Sequence, residues 1–280
     1  MNYRHLYHAG NFTDVFKHAV LALLIQALCR KDKPFCYLDT HAGIGRYDLE
    51  SEAAQKTGEF KTGILKLLQS QKDFPEEIAD YVAVIRKINA AEKLRFYPGS
   101  PLLVKHLLRA NDRMILTELH SDDFKLLKQE FRNDKQIAVH HLDGYQALKA
   151  FLPPKEKRGL VFIDPPFEQP HEFEQLVEAL SAAYQRWPTG IYAIWYPLKN
   201  LAAVKNFYQD LQILQLSKVL KLEFTPYPVD SPVGLNGCGM IIINSPFQLD
   251  QQLEKLLPWL LQVLAPDKAL GSQCVEWIED

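Results

Sequence analysis

The sequence lacks the features that would place a protein in a membrane or outside the cell. Its 280 residues contain no apolar run that approaches the length of a bilayer-spanning helix. The amino-terminal segment MNYRHLYHAGN is polar and aromatic, without the hydrophobic region of a secretory signal peptide. The four cysteines form no C-x-x-C pair and no metal-ligand spacing. We therefore expect a cytoplasmic protein with reduced thiols and with neither membrane nor metal partners.

The chain also lacks a strong charge of either sign. Its 32 Lys and Arg residues and 34 Asp and Glu residues give a formal net charge of −2. This balance argues against broad, nonspecific binding of nucleic acids, although a local basic patch is compatible with it. There is no internal repeat, and the length suits one large domain with an insertion. We predict a monomer whose single domain spans residues 1–280.

Apolar strands alternate with helical patterns along the chain. Thr13 is placed to cap a first helix that runs to about Arg30. Residues 52–94 read as a small helical insertion. The predicted strands lie at 35–41, 113–120, 136–144, 159–163, 190–198, 217–225 and 238–244. This alternation predicts an α/β fold with a mostly parallel, doubly wound, Rossmann-like sheet, and the last two strands predict an antiparallel hairpin because no crossover helix separates them.

Polar residues stand at the ends of four predicted strands. His41, Glu118, Asp143 and Asp164 each lie at or just past such an end. In doubly wound sheets the ligand binds beyond the carboxyl ends of the strands. These four side chains are therefore expected to face one site.

The glycine turn after the first strand is only part of a nucleotide-binding motif. The segment DTHAGIGRY contains Gly43-x-Gly45, but Asp48 stands where the dinucleotide fingerprint has its third glycine. Alone, such a turn is equally compatible with a tight strand-to-helix connection. Similarly, Glu118 or Asp143 taken singly would be read as a solvated strand end.

Taken together, these residues favour S-adenosylmethionine over NAD. Glu118 can accept hydrogen bonds from ribose hydroxyls, and Asp143, before Gly144, can accept one from an adenine amino group. Glycines at the first turn allow the backbone to approach an amino-acid tail. Nothing in the pattern is arranged for a pyrophosphate.

The tetrad Asp164-Pro165-Pro166-Phe167 at the end of an apolar strand is the most specific motif. It indicates methylation of an amine: Asp164 and the Pro165 carbonyl would accept the two amino hydrogens, the prolines would fix the direction of that carbonyl, and Phe167 would stack on the base. The structural alternative is a polyproline turn closed by a packed phenylalanine. The motif lacks a Pro-Cys nucleophile, which argues against covalent methylation of pyrimidine carbons.

The chain resembles the ribosomal large subunit methyltransferase J family, the bacterial 23S rRNA adenine-N6 methyltransferases. The likeness extends over residues 3–244 and continues toward the carboxyl terminus. The segments that carry it are YRHLYHAGNFTDVFKH, KPFCYLDTHAGIGRY, RFYPGSPLL, LTELH, GLVFIDPPF, GIYAIWYP and GMIIIN. Phe167 departs from the tyrosine that such tetrads often carry, which keeps the stacking face and loses a hydroxyl.

The resemblance implies a role for particular residues. Asp164 would be the catalytic acceptor and would also contact S-adenosylmethionine. The other residues lining the cofactor pocket would be His18, His41, Ser100, Glu118, Asp143 and Gly144. An amino-terminal motif, residues 1–17, would close over the cofactor and contact the target adenosine through Tyr3, His5 and Lys17. The insertion at 52–94 would form a small subdomain beside the site, and the substrate would be 23S rRNA, naked or in an early assembly intermediate.

Two alternatives remain open from the sequence. One keeps the chemistry and changes the substrate to DNA adenine or to a glutamine side chain of a protein. The chain has little room for the target-reading domain of DNA enzymes, and enzymes that methylate glutamine favour Asn where this chain has Asp164. A noncatalytic module that binds S-adenosylmethionine is the other, and the complete tetrad argues against it. Without the resemblance, the amino-terminal aromatics and cations would be read as an arm packed on the sheet edge.

Overall fold

A central mixed sheet organises the protein. The computed structural model describes residues 4–70, 74–89, 93–228, 231, 234–266 and 270–278. Its strands are β1 (Cys36–Asp39), β2 (Arg46–Asp48), β3 (Phe96–Pro98), β4 (Arg113–Glu118), β5 (Ile137–His141), β6 (Gly159–Ile163), β7 (Ile191–Pro197), β8 (Val219–Thr225), β9 (Cys238–Ile243) and β10 (Ser272–Ile278).

Helices cover the sheet and connect its strands. The α-helices are α1 (Phe12–Cys29), α2 (Glu52–Thr57), α3 (Ile64–Ser70), α4 (Glu76–Ile88), α5 (Ser100–Leu107), α6 (Ser121–Glu130), α7 (Gly144–Phe151), α8 (Glu172–Arg186), α9 (Leu201–Ile213) and α10 (Leu249–Leu264). Short 3-10 helices lie at His5–Tyr7 and Glu59–Lys61.

The sheet topology confirms the predicted fold class. Within the described residues, eight strands lie in the order β10-β8-β9-β7-β6-β1-β4-β5. The run from β5 through β4, β1 and β6 to β7 is parallel, and β9 pairs antiparallel with both β7 and β8. Strands β1 and β6 are buried along their whole length, as expected for parallel strands covered on both faces. The chain therefore has an α/β, Rossmann-like fold with an antiparallel hairpin toward its end.

The carboxyl-terminal part extends this hairpin by two elements that the sequence analysis did not identify. Helix α10 follows β9 and buries an apolar face that includes Leu253, Leu256 and Leu260. Strand β10 then pairs antiparallel with β8 at the edge of the sheet. The hairpin is thus followed by a third antiparallel strand.

Helix α1 is the main buried helix of the protein. It begins at Phe12 because the Asn11 side chain accepts a hydrogen bond from the Asp14 backbone N–H at 3.0 Å. The prediction of Thr13 as the cap is wrong, since Thr13 lies inside the helix and donates its hydroxyl to Asn11 at 2.8 Å.

The sequence analysis expected no apolar run as long as a membrane-spanning helix. Judged by length and composition alone, α1 contradicts this expectation. This 18-residue helix is apolar enough to cross a membrane, but 83% of it is buried inside the protein. Its apolar character has a direct structural reason, because α1 packs against α4, α5 and α10 in the core.

The helical insertion shares this core with α1. Helices α2, α3 and α4 lie between β2 and β3, which pair with each other antiparallel as a separate two-stranded sheet. Ile78, Tyr81 and Ile85 of α4 are fully or almost fully buried in the same hydrophobic cluster as α1. The insertion is therefore anchored to the helix that approaches the carboxyl edge of the sheet.

Candidate active site

A cavity of about 780 Å³ opens beyond the carboxyl ends of β1, β4, β6 and β7. The amino-terminal segment and the start of α1 form its other side. Among the described residues, the sequence-predicted site residues that line it are His5, Lys17, His18, His41, Gly43, Ser100, Glu118, Asp143, Gly144, Asp164, Pro165 and Phe167. Because the carboxyl ends of parallel strands lie at the same edge of the sheet, residues that are far apart in the chain meet at this cavity.

Among the described residues, one predicted site residue, Gly45, does not line the cavity. Its carbonyl accepts the Gly99 N–H at 2.8 Å, and a Cβ there would lie 3.2 Å from the Phe131 ring. With φ of 83°, Gly45 serves the turn and its packing. Tyr3 lies outside the described residues.

The first strand ends in a buried acidic group that the sequence analysis did not single out. Asp39 accepts hydrogen bonds from the hydroxyls of Tyr37 and Ser100, each at 2.7 Å. Burial raises the pKa of Asp39 to about 6, against the hydrogen bonds that favour its ionised form. This hydrogen bond to Asp39 fixes the position of the Ser100 hydroxyl, which belongs to a predicted cofactor-binding residue. Burial also lowers the pKa of the neighbouring His41 to about 4, so His41 is neutral at pH 7.

The glycine turn is tied directly to the carboxylate at the end of β4. Glu118 accepts the backbone N–H of Gly43 through Oε2 and that of His120 through Oε1, both at 2.8 Å. Burial raises the pKa of Glu118 above its usual range, while these two amides oppose the rise. Carboxylate oxygens have further lone pairs, so Glu118 can still accept a hydrogen bond from a ligand.

Two glycines that line the cavity have no room for a side chain. A Cβ at Gly43, where φ is 61°, would lie 2.3 Å from the Tyr47 hydroxyl. A Cβ at Gly144 would lie 2.6 Å from the Thr40 carbonyl oxygen. Asp143 caps α7 through Oδ1, which accepts the N–H groups of Tyr145 and Gln146 at 3.0 Å. Side-chain-free walls, strand-end carboxylates and the size of the cavity fit S-adenosylmethionine, whose adenosine hydroxyls and amine are donors.

The acidic residue of the tetrad forms an ion pair with the amino-terminal motif. Lys17 Nζ lies 2.6 Å from Asp164 Oδ2 and 2.9 Å from Asp14 Oδ1. Both Lys17 and Asp14 are buried, and the Asp164 side chain is 15% exposed. Lys17 therefore bridges the carboxylates of Asp164 and Asp14 in the cavity wall.

Asp14 is a site residue that the sequence analysis missed. It is fully buried, and its Oδ2 accepts the Gly10 N–H at 2.8 Å and lies 3.0 Å from His5 Nε2. Burial opposes the ionisation of Asp14, but the neighbouring His5 and Lys17 hold its pKa well below the usual range. No sequence signal distinguished it, because an aspartate in the first turn of a helix is common for reasons of capping and dipole alone.

The predicted stacking residue sits in an aromatic cluster beside Asp164. Phe167 has φ of 51°, a left-handed conformation that costs about 1–3 kcal/mol for a bulky residue. Its ring packs 4.7 Å from Phe173 and 5.9 Å from Trp195, measured between centroids, and Trp195 also lines the cavity. These contacts hold Phe167 in the strained conformation that turns the backbone after the two prolines.

The fold and the site together define the class. A mostly parallel sheet with an antiparallel hairpin, and a cavity at its carboxyl edge lined by a glycine turn and strand-end carboxylates, belong to the Rossmann-like class I S-adenosylmethionine-dependent methyltransferases. The model of the family described as Ribosomal RNA large subunit methyltransferase D, RlmJ, matches residues 32–279. The chain therefore belongs to this family, as the resemblance predicted.

Curated and solved relatives agree with this assignment. The chain is 45% identical over 278 residues to Ribosomal RNA large subunit methyltransferase J of Escherichia coli (strain K12), with 99% of both chains covered. It is 45% identical over 279 residues to the protein of the same name from Haemophilus influenzae (strain ATCC 51907 / DSM 11121 / KW20 / Rd), again with 99% of both covered. The crystal structure of protein LPL1258 from Legionella pneumophila str. Philadelphia 1 is similar with a TM-score of 0.90 and 37% identity, covering 96% of this chain and 98% of that one.

Proposed function

We propose that this protein transfers a methyl group from S-adenosylmethionine to N6 of an adenine in 23S rRNA, and that it acts in the cytoplasm as a monomer. Family membership and the names of the two curated relatives support the RNA substrate. The observation that carries the chemistry is the placement of Asp164 at the end of β6, where it lines the cavity together with Pro165, Phe167 and Lys17.

The cavity residues have separate roles in this proposal. Glu118 and Asp143 would hold the ribose and adenine of the cofactor, with His18, His41, Ser100 and the glycine backbones at 43 and 144 along the rest of its length. The bound cofactor supplies an electrophilic methyl group on its sulfonium. The protein contributes alignment of the amine with that methyl group, which removes much of the entropic barrier.

Asp164 would work on the amine of the target base. Its carboxylate and the Pro165 carbonyl would accept the two amino hydrogens and draw the nitrogen lone pair out of conjugation with the ring. Lys17 Nζ donates a hydrogen bond to Oδ2 of Asp164 and fixes the direction of the carboxylate. Asp164 would then take a proton as the methylated amine loses it. The base must be unstacked, or already single-stranded, to enter, and Phe167 offers it a ring to stack on.

We also propose how the chain is divided into functional parts. Residues 1–280 would act as one methyltransferase domain, with 52–94 as a small subdomain and 1–17 as a motif that covers the site. In support, Arg4 is paired with Asp123 at 2.9 Å, and His8 Nδ1 lies 2.8 Å from Glu59 of the insertion. The amino-terminal motif is thus held between α6 and the insertion.

Asp164→Asn tests the proposal. We expect a loss of kcat of about 100-fold or more, because the amide cannot accept a proton from the base. The binding of S-adenosylhomocysteine should persist. The measurement is N6-methyladenosine formation, by mass spectrometry, on naked 23S rRNA, on assembling large subunits and on duplex DNA.

Asp210→Asn, on helix α9 and outside the cavity, is the matched control and should retain wild-type turnover. Undiminished methylation by Asp164→Asn would overturn the mechanism. Preferential methylation of DNA by the wild type would replace the proposed substrate, and cofactor binding without any turnover would favour a noncatalytic module.

A further inference from the structure

Three buried polar side chains form a hydrogen-bonded chain from the helical insertion to the cavity. The Tyr81 hydroxyl of α4 lies 3.0 Å from the Tyr97 hydroxyl of β3. The Tyr97 hydroxyl lies 2.7 Å from Nδ1 of His18 on α1. Tyr81 and Tyr97 are fully buried and His18 is 1% exposed, yet His18 lines the cavity. The proposed mechanism uses neither tyrosine.

The placement of hydrogens along this chain follows from the burial of its members. Burial lowers the pKa of His18 to about 3, so its ring carries a single N–H at neutral pH. If that hydrogen were on Nδ1, His18 would donate to Tyr97 and Tyr97 would donate to Tyr81. The hydroxyl hydrogen of Tyr81 would then have no acceptor among the described residues.

When the ring hydrogen is on the other nitrogen, the hydroxyl hydrogens of both tyrosines have an acceptor. With the ring hydrogen on Nε2, Tyr81 donates to Tyr97, and Tyr97 donates to Nδ1 of His18. A buried donor without an acceptor costs about 1–3 kcal/mol, so the two tyrosines favour this tautomer by a comparable margin. Nε2–H is then the donor that His18 can offer to the cavity.

We propose that Tyr97 and Tyr81 are positioning residues that hold His18 as the Nε2–H tautomer and direct this donor to the carboxylate of the methionine moiety of S-adenosylmethionine. This inference rests on the proposed function. The cavity lining also holds the carboxylates of Glu118, Asp143 and Asp164, which repel an anionic group. Of the two lysines in the lining, Lys17 next to His18 already forms ion pairs with Asp164 and Asp14, and Lys199 is exposed. The anionic end of the cofactor therefore belongs beside His18, where an N–H donor is available.

The hydrogen-bonded chain also connects the helical insertion to the cavity. Tyr81 belongs to α4, so a hydroxyl of the insertion supports the cofactor side of the cavity without lining it. Removing this hydroxyl should alter cofactor affinity from a distance, through Tyr97 and His18.

Paired binding measurements test the proposal. Calorimetry would give the Kd of wild type, Tyr97→Phe and Tyr81→Phe for S-adenosylhomocysteine and for 5′-methylthioadenosine, which lacks the amino-acid tail. We expect Tyr97→Phe to weaken S-adenosylhomocysteine about 5–10-fold and Tyr81→Phe about 2–5-fold, with methylthioadenosine within twofold. Nitrogen-15 NMR of the wild type should show the hydrogen of His18 on Nε2.

Tyr192→Phe is the matched control, since Tyr192 is equally buried and its hydroxyl donates to the Trp187 and Ala183 carbonyls away from the cavity. It should change neither Kd. A wild-type Nδ1–H tautomer, or equal weakening of both ligands by Tyr97→Phe, would overturn the proposal. If the wild type bound neither ligand, the proposed function itself would fail, whereas normal methylation with unchanged Kd values in both variants would refute the inference alone.

Discussion

Asp14 shows how one residue can organise a site without lining it. Its two oxygens are shared between Lys17, His5 and the backbone of Gly10, so one buried carboxylate helps to position both the ammonium that pairs with Asp164 and the amino-terminal segment. Removing one partner of a buried ion pair leaves the other charge uncompensated. At this scale the geometry at Asp164 depends on a residue 150 positions earlier in the chain.

Asp14→Asn should therefore lower kcat/KM for RNA by about 10–100-fold, because Lys17 loses one of the two buried carboxylates with which it forms ion pairs. The Kd for S-adenosylhomocysteine should change by less than about threefold if the effect is confined to the Lys17 side. A double-mutant cycle with Lys17→Met is the decisive measurement. We expect strong non-additivity, and strictly additive losses would show that Asp14 does not act through Lys17.

The sequence allowed prediction of those site residues whose position follows from topology. Glu118, Asp143 and Asp164 end parallel strands, and such ends meet at one edge whatever the packing around them. Asp14, Tyr97 and Tyr81 were not identifiable in this way. Their partners are chosen by the packing of α1 against β3 and α4, and no local pattern encodes that choice.

At the scale of elements, the start of α1 illustrates the same limit. Asn11 and Thr13 are both good capping residues two positions apart, and propensity does not separate them. The structure selects Asn11, whose amide also donates to Glu59 Oε2 of the insertion at 3.0 Å. Helix α10 and β10 were not predicted, because the hairpin of β8 and β9 already completes the alternating pattern of the sheet.

Asn11→Ala should lower the free energy of unfolding by about 1 kcal/mol, the usual effect of losing a helix cap. Thr13→Ala should cost less, about 0.5 kcal/mol or below, because Thr13 does not cap the helix. Urea unfolding of the two variants would compare them directly. A larger loss for Thr13→Ala would contradict the observed start of α1.

At the scale of the whole molecule, the near-neutral charge limits how the protein holds RNA. A net charge of −2 offers little long-range attraction to phosphates, so we expect recognition to rest on the cavity and its immediate surroundings.

We therefore expect few phosphate contacts, and a plot of log K against log salt concentration for 23S rRNA fragments with a slope of about −3 or shallower. Filter binding between 50 and 200 mM salt, about the range over which such slopes are compared, would measure it. A slope near that of a large basic protein, about −10, would show that an extensive phosphate surface has been overlooked.

The Lys17–Asp164 pair has a consequence for the order of events during protein synthesis. The two residues are 147 positions apart, and Arg4 and Asp123 are 119 apart. At about 5–20 residues per second, the amino-terminal segment waits roughly 7–30 s for its last partner to be made. A nascent chain therefore has no finished cavity until β6 and Asp164 have left the ribosome, and Tyr227 and Leu235, which also line the cavity, are made later still.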